Sequence, residues 1–389
     1  MLIWLAFAIP LVTILFLLIF FRRRTLWWEF VIPIVVCGIV ITACKFGTEF
    51  TQTMDVEYWG GWVTSAEYYE SWDETVPCTH EITESEYDSD GNYIGERFVG
   101  YEHIYDVDYH GPYWQINDSN GFSTRISESH WNELVRRFGN KRFVDLHRDY
   151  HLNDGDKHVT SWDGEDATLL CYVSKHRYEN RVQASQSVFN FQEVDPQEYG
   201  LFEYPEINNY RCKAILGYSD PAYRAAAHRL DIINAKLGAR KKIRAMILVF
   251  ADKPMAAAVA QQNYWKNGNK NELIICVGVD KQKQVQWSDV FSWTEVEKLK
   301  VDVRSKVIEQ AGETLNLLPI IEWLGPEIEE HWVKKSFDDF DYLTVEPPTW
   351  MVVLTFVLTI LASAISSLWV VHNQYREGMV QRRRYRRRY

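Results

Sequence analysis

The sequence lacks the short motifs by which several large enzyme classes are recognised. It has no GxSxG, no phosphate-binding P-loop, no dinucleotide fingerprint, no HExxH and no CxxC. These absences argue against an α/β-hydrolase, a P-loop NTPase, a dinucleotide-dependent oxidoreductase, a zincin and a thioredoxin-like protein. Whether the chain is an enzyme is therefore uncertain, and the balance is against it.

Cysteine is scarce as well, with six residues in 389. Four of them, Cys78, Cys171, Cys212 and Cys276, lie in the polar middle of the chain, where an oxidising compartment would allow three pairings. Cys276 lies inside the apolar run ELIICVGV, which favours a buried free thiol. We therefore expect one disulfide at most.

Negative charge is nearly missing from the two ends of the chain. Outside residues 46–349 there are eleven basic residues and only two acidic ones, Glu29 and Glu377, so the ends carry +9. The whole chain carries −11, so the middle carries −20. The protein is an acidic body with basic ends.

The sequence contains three long apolar runs. Residues 2–21 and 350–371 contain no charge, and a helix of twenty residues is about 30 Å long, which matches the hydrocarbon layer of a bilayer. Residues 26–44 are less apolar, but the short link to the first run favours a helix that returns across the membrane. We predict three transmembrane helices.

Arginine clusters predict the direction of these helices. The clusters are Arg22, Arg23 and Arg24 after the first run, and Arg382, Arg383, Arg384, Arg386, Arg387 and Arg388 at the end of the chain. Because basic residues next to spans stay in the cytoplasm, we expect the tail 372–389 inside and the N-terminus and body outside. The tail could also bind anionic lipid, nucleic acid phosphates or a protein partner.

The first part of the body, residues 46–209, is predicted to be rich in β-strands. Residues 87–98 predict a hairpin around a DG turn, although Asp88, Asp90 and Asn92 also half-match a calcium loop. Aromatic residues crowd positions 58–72; they fit either a sugar-binding surface or, as we favour, the core of a sheet. Residues 127–139 predict one helix, capped by a serine and ended by a glycine.

Histidine and aspartate alternate in two predicted strands. The residues concerned are Asp106, Asp108 and His110 in one strand and His147, Asp149 and His151 in the other. The period of two places each set on one face, and if the strands were neighbours the side chains would converge as ligands of a divalent metal. A solvated acidic face gives the same pattern, so both interpretations stay open.

The second part of the body, residues 210–346, predicts alternating helices and strands. The predicted elements are a helix from Asp220 to Leu237 stopped by Gly238, a strand Ile243–Phe250, a helix from Pro254, a strand Glu272–Val279, an antiparallel strand Val285–Phe291, and helices Thr294–Leu317 and Pro319–Ser336. Continuous apolar strands separated by helices indicate a parallel β-α-β core.

The stretches RLDIINAKLGARKKIRAMILVFADKP and Trp265–Asp280 resemble the TPM domain, a membrane-tethered extracytoplasmic module. The resemblance covers 213–340, roughly a third of the 389 residues. It implies a bacterial or bacteriophage protein of an inner membrane; some members are phosphatases and others are accessory proteins of membrane complexes. The glycine-rich run that follows the last strand in the family is replaced here by KQKQVQWSDVFSW, so no catalytic residue is carried over.

The sequence as a whole predicts a membrane-anchored α+β protein with a β-rich and a TPM-like α/β extracytoplasmic part. We expect a binding or accessory role, with the bilayer and another membrane or extracytoplasmic protein as partners. One alternative is a phosphatase-like, metal-dependent hydrolase that uses the His/Asp strands. A second alternative is a nucleic-acid tether that uses the arginine tail.

Overall fold

The computed structural model describes residues 2–21, 29, 31–139, 141–146, 151–153, 155–162, 169–185, 191–208 and 210–386. Its α-helices are α1 (Ala8–Phe21), α2 (Val31–Thr53), α3 (Glu128–Phe138), α4 (Arg181–Ala184), α5 (Pro196–Tyr199), α6 (Tyr223–Lys241), α7 (Ala256–Tyr264), α8 (Glu297–Ile308), α9 (Leu317–His331) and α10 (Thr349–Arg386). Its β-strands are β1 (Met54–Tyr69), β2 (Trp72–Tyr87), β3 (Tyr93–His110), β4 (Tyr113–Asp118), β5 (Ser123–Ile126), β6 (Arg142–Val144), β7 (His151–Asn153), β8 (Lys157–Ser161), β9 (Cys171–Glu179), β10 (Ile215–Leu216), β11 (Arg244–Ala251), β12 (Glu272–Val279) and β13 (Val285–Ser292).

The chain divides into two compact units. The first contains Met1–Glu57, Arg177–Glu193 and Ser336–Tyr389, and the second contains Tyr58–His176 and Val194–Lys335. The apolar helices belong to the first unit, and the sheets that carry the polar and aromatic residues of the body belong to the second.

Three helices of the first unit are long and apolar enough to cross a membrane, namely Ile3–Phe20, Val31–Thr53 and Thr349–Asn373. The chain is therefore a membrane protein of mixed α and β structure. The second helix continues to Thr53, past the predicted end at residue 44, whereas residues 26–28 and 30 at its predicted start lie outside the described residues. Helix α10 continues beyond the predicted span into the basic tail. Residues 22–24, 387 and 388 lie outside the described residues, as do the side chains after residue 373.

A stripe of small polar residues on α10 faces the other apolar helices. Thr355, Thr359 and Ser363 are four residues apart and all buried. The hydroxyls of Ser363 and Thr13 hydrogen-bond at 2.7 Å, and the thiol of Cys37 lies 3.7 Å from the carbonyl oxygen of Thr359. Small side chains allow membrane helices to approach closely, so this stripe is the packing face of α10.

In the six-stranded sheet of the second unit, β1 pairs antiparallel with β4 and β8, β4 with β5, and β6 with β8. Its strand order is β5-β4-β1-β8-β6, with β9 also paired to β1. Helix α3 covers it and buries Trp131 and Leu134 against Val63 and Ile116. As predicted, Ser127 caps this helix by accepting a hydrogen bond from an amide of its first turn, and Gly139 ends it.

The aromatic stretch near the start of the second unit packs into this sheet. Tyr68 stacks on Trp114 and on His158 with ring centroids 5.3 and 5.5 Å apart, and Trp59 stacks on His176 at 3.7 Å. These stacks favour the core interpretation over a sugar-binding surface.

Of the two other sheets, one has the three strands β3-β2-β7 and the other has the order β10-β11-β12-β13. Strands β10, β11 and β12 are parallel, and β13 is antiparallel to β12, as the apolar runs predicted. Helices α6, α8 and α9 pack on one face and α7 packs on the other. The strand β12 is buried along its whole length, and Cys276 within it is the buried free thiol that was expected.

The predicted helix Thr294–Leu317 is too long. Helix α8 ends at Ile308, after which Ala311 and Thr314 form isolated bridges with Val285 and Gln284 at the start of β13. These bridges satisfy backbone polar groups that would otherwise bond within a longer helix. The helical periodicity of the sequence does not show that a strand competes for these groups.

Cys171 and Cys212 are not joined by a disulfide, and the side chain of Cys78 lies outside the described residues. The described cysteines therefore form no disulfide with one another.

Candidate functional site

The most unusual element of the second unit is a long β-hairpin. Strands β2 and β3 pair antiparallel from Trp72 opposite His110 to Tyr87 opposite Tyr93, and we call residues 72–110 the arm. At 3.3 Å per residue a strand of this length spans roughly 50 Å. Beyond the pairs that β7 makes with Asp73 and Glu74, no other described strand joins either edge of the arm.

The tip of the arm is a tight turn organised by one carboxylate. Asp88 Oδ1 accepts hydrogen bonds from the backbone amides of Asp90 and Asn92 at 2.9 and 2.8 Å. The hydrogen bond from the Asn92 amide is the main reason that the pKa of Asp88 lies below its usual range. The predicted hairpin is thus confirmed, and the carboxylate is occupied by the turn itself.

The base of the arm is held by a histidine. His110 stacks on Trp72 with centroids 3.9 Å apart, and its Nε2 lies 3.1 Å from Glu74 Oε2. Trp72 and Glu74 lie on β2 and His110 lies on β3, so contacts among these side chains fix the pairing register of the two strands at the base of the arm.

The register divides the arm into two faces near its base. Asp106, Asp108 and His110 lie on one face, as the alternation predicted, opposite Val76, Glu74 and Trp72 in β2. The other face carries Tyr101, Val107 and Tyr109. Asp106, Asp108 and Val76 on the first face and Val107 and Tyr109 on the second are exposed, so both faces are open to solvent at these positions.

Large apolar and aromatic side chains are exposed throughout the part of the arm whose side chains the structure describes. Tyr101 and Tyr109 are 63% and 68% exposed. The other exposed large side chains are Val76, Ile82, Tyr87, Tyr93, Ile94, Phe98, Val99 and Val107. A two-stranded hairpin is only marginally stable by itself, and a concentration of exposed apolar side chains is typical of a binding surface.

The arm is also strongly acidic. Residues 72–110 contain eleven Asp and Glu residues and a single Arg, which gives −10 without histidine. Within the described part of the arm the ion pairs are Arg97 with Glu84 at 3.4 Å and His110 with Glu74. Most carboxylates in the described part of the arm are therefore uncompensated, that is, they form no ion pair with a basic side chain.

The predicted metal ligands are separated by the intervening strand. Strand β2 lies between β3, which carries Asp106, Asp108 and His110, and β7, which begins at His151. Residues 147 and 149 lie outside the described residues. In the part of the chain that the structure describes, no three His, Cys, Asp or Glu side chains are placed to hold a metal ion, so the divalent-metal site stays a prediction.

Sequence reasoning found the turn and the alternation but missed the arm as an isolated ribbon. The signal was present, because both long strands mix charged and aromatic residues on each face and neither has an apolar face. A strand that packs on a core shows a one-sided apolar pattern.

Comparisons with protein-family models, curated proteins and solved structures find no match to this chain.

Proposed function

We propose that the chain is a membrane-anchored binding protein that uses the arm to hold a positively charged surface of a partner protein. In this role it is an accessory subunit of a membrane complex rather than an enzyme. The observation that carries the proposal is the combination, on one ribbon with open edges, of exposed aromatic residues and a net charge of −10.

The chemistry of the arm selects the class of partner. Its uncompensated carboxylates repel the phosphates of nucleic acids and of anionic lipids, whereas they attract lysine and arginine side chains. Tyrosine and phenylalanine add contact area and are enriched in protein interfaces. Open strand edges also allow pairing with an extended segment of the partner.

The placement of the body on the outside of an inner membrane belongs to the same proposal. Arginine clusters flank the apolar helices on the side that the positive-inside rule assigns to the cytoplasm. The sheet of parallel strands closed by one antiparallel strand is compatible with the TPM-like module inferred from residues 213–340. In this arrangement the lipid bilayer is the second partner.

Site-specific photo-cross-linking in intact cells tests the role of the arm. We would place a benzophenone amino acid at Tyr101 or Tyr109 and, as a matched control, at the exposed Tyr342 outside the arm. The arm positions should give a discrete protein adduct that weakens at high salt, because electrostatic attraction is screened. The control position should not give this adduct.

Charge reversal makes the test specific. The double variant Asp106→Lys, Asp108→Lys should lose the adduct, while Glu313→Lys, also exposed but outside the arm, should keep it. An adduct that survives reversal and high salt, or no adduct from either arm position, would overturn the proposal.

A further inference from the structure

The second unit contains a cavity of about 270 Å³ that is distinct from the arm. Its charged, imidazole and amide side chains are those of Arg137, His228, Asp231, Asn234, Arg211 and Arg244. Arg137 lies at the end of α3, Arg211 lies in the segment before β10, and Arg244 begins β11. The other three side chains lie on successive turns of α6. Three guanidinium groups and one carboxyl group thus meet in one small space.

Arg244 forms the deepest charged part of the lining. It is only 2% exposed, and its guanidinium donates to the Tyr204 hydroxyl at 3.2 Å, to Cys212 Sγ at 2.8 Å and to the Lys213 carbonyl at 3.2 Å. Among the described residues it forms no direct ion pair with a carboxylate. The Tyr204 hydroxyl stands between it and Glu272, to which that hydroxyl is hydrogen-bonded.

The tyrosine and cysteine that contact Arg244 are neutral. Burial raises the pKa of Tyr204 well above its usual range, and burial also raises the pKa of Cys212 although Arg244 opposes that shift. The charge of Arg244 is therefore balanced by dipoles rather than by an adjacent anion.

Arg137 and Arg211 lie at the exposed mouth of the cavity. Neither forms an ion pair with any side chain that the structure describes, although Arg211 lies over the Tyr210 ring at 5.6 Å. Arg211 also hydrogen-bonds to Tyr210, and Arg137 lies over the Phe138 ring at 4.9 Å. Because each guanidinium carries five N–H donors, both arginines keep donors for a ligand. Three cations against one carboxyl group leave the cavity positive.

We propose that this cavity binds a small molecule through an oxyanion, that is, a phosphate, sulfate or carboxylate group. Arginine is the side chain best suited to such groups, because its planar fork donates two parallel hydrogen bonds. The volume is slightly below the usual range for ligand pockets, about 300–1,000 Å³, which limits the ligand to a small one.

Asp231 couples this binding to protons. Burial raises its pKa to about 7, partly opposed by the charges of Arg244 and Arg211. The other titratable groups that share its surroundings are Tyr223 on the same helix and, in the lining, His228, Tyr172, Cys171 and Cys212. When protonated, Asp231 can donate a hydrogen bond to an anion; when ionised, it repels one. Binding should therefore weaken as the pH rises through 7.

Calorimetric titration of the full chain in detergent micelles tests the site. Sodium sulfate is the main probe, because its charge does not change between pH 6 and 8, and phosphate and succinate identify the preferred oxyanion. At constant ionic strength we expect saturable sulfate binding that is tighter at pH 6 than at pH 8. Arg137→Gln and Arg211→Gln should each weaken it roughly tenfold, as expected for a lost charged hydrogen bond.

Matched variants separate this site from general attraction of anions. Arg136→Gln, next to Arg137 but absent from the lining, should bind like the wild type. Asp231→Asn should bind sulfate more tightly than the wild type at pH 8 and with little pH dependence. The proposal is overturned if no oxyanion binds saturably, or if Arg137→Gln and Arg211→Gln match Arg136→Gln. A pH dependence retained in Asp231→Asn would overturn the role of Asp231 and point to His228.

Discussion

Gly60 and Gly238 allow β1 and α6 to touch through their backbones. A Cβ atom on Gly238 would lie 2.3 Å from the carbonyl oxygen of Gly60, and one on Gly60 would lie 2.1 Å from the carbonyl oxygen of Asn234. The sequence suggested that Gly238 ends the helix, but α6 continues to Lys241. That prediction was wrong because glycine here serves close packing and not termination.

Gly238→Ala should therefore destabilise the protein. Helix propensity favours alanine by about 1 kcal/mol, whereas overpacking against a backbone costs about 1–3 kcal/mol and cannot be relieved by a side-chain rotation. We expect a lower melting temperature in detergent. Gly100→Ala is the matched control, because a Cβ there meets nothing within 4 Å. A melting temperature for Gly238→Ala at or above the wild type would contradict the close contact.

Asp231 predicts how stability depends on pH. Its pKa rises from 3.8 in the unfolded chain to about 7 in the folded protein, so the folded state binds the extra proton. The stability of the wild type then falls as the pH rises between these two values and is level above them. Relative to the wild type, Asp231→Asn should therefore become progressively more stable as the pH rises from about 4 to about 7. Thermal unfolding of both proteins at several pH values measures this difference.

Asp220 provides a control of opposite sign. The backbone amide of Ala222 and the ammonium group of Lys283 hold the pKa of Asp220 below its usual range. Its ionised form therefore favours the folded state, and Asp220→Asn should lose stability at neutral pH, mainly above the pKa of the unfolded aspartate. Equal pH profiles for the two variants would refute at least one of the two assignments.

At the scale of elements, the polar stripe of α10 predicts how the apolar helices associate. Ser363 is 2% exposed and bonds to Thr13 on α1. Ser363→Ala should remove only that hydrogen bond, which is worth about 0.6 kcal/mol in membrane proteins. Ser363→Leu should cost more, because it also overpacks the interface by about 1–3 kcal/mol. Unfolding in mixed micelles would measure both.

Ile365→Val is the control for these two variants, since Ile365 lies on the opposite, exposed face of α10. It should leave the unfolding curve unchanged. An effect of Ile365→Val as large as that of Ser363→Leu would mean that the stripe is not the packing face.

Local patterns predicted many elements, and the failures have identifiable causes. The apolar runs around Leu248 and Cys276 predicted two buried parallel strands, because a strand covered on both faces leaves no polar alternation. The end of α8 was missed, because its cause is a bridge to Val285 that is distant in sequence.

Of the two candidate sites, the arm was partly predictable from local sequence and the oxyanion cavity was not. Alternation placed Asp106, Asp108 and His110 on one face of a strand correctly. The oxyanion cavity was not predicted, because Arg137, Asp231 and Arg244 are far apart in the sequence and meet only through tertiary packing.

At the scale of the whole molecule, the basic ends and the acidic body predict opposite exposure to an external reagent. In spheroplasts, a cysteine introduced by Ser89→Cys at the tip of the arm should react with a membrane-impermeant maleimide. One introduced by Gln381→Cys in the tail should react only after lysis. The unaltered chain, with its six native cysteines, supplies the background. The reverse labelling pattern would invert the proposed topology.

The uncompensated acids of the arm have a consequence for copies of the protein that meet one another. A long ribbon with open edges and exposed aromatic residues is the kind of structure that stacks into sheets and aggregates. The eleven carboxylates act as gatekeepers, because two copies placed edge to edge repel each other. The same charges that we propose attract a basic partner should thus keep the free protein from self-assembly, and acidification or polyvalent cations should turn a dispersed population into a clustered one.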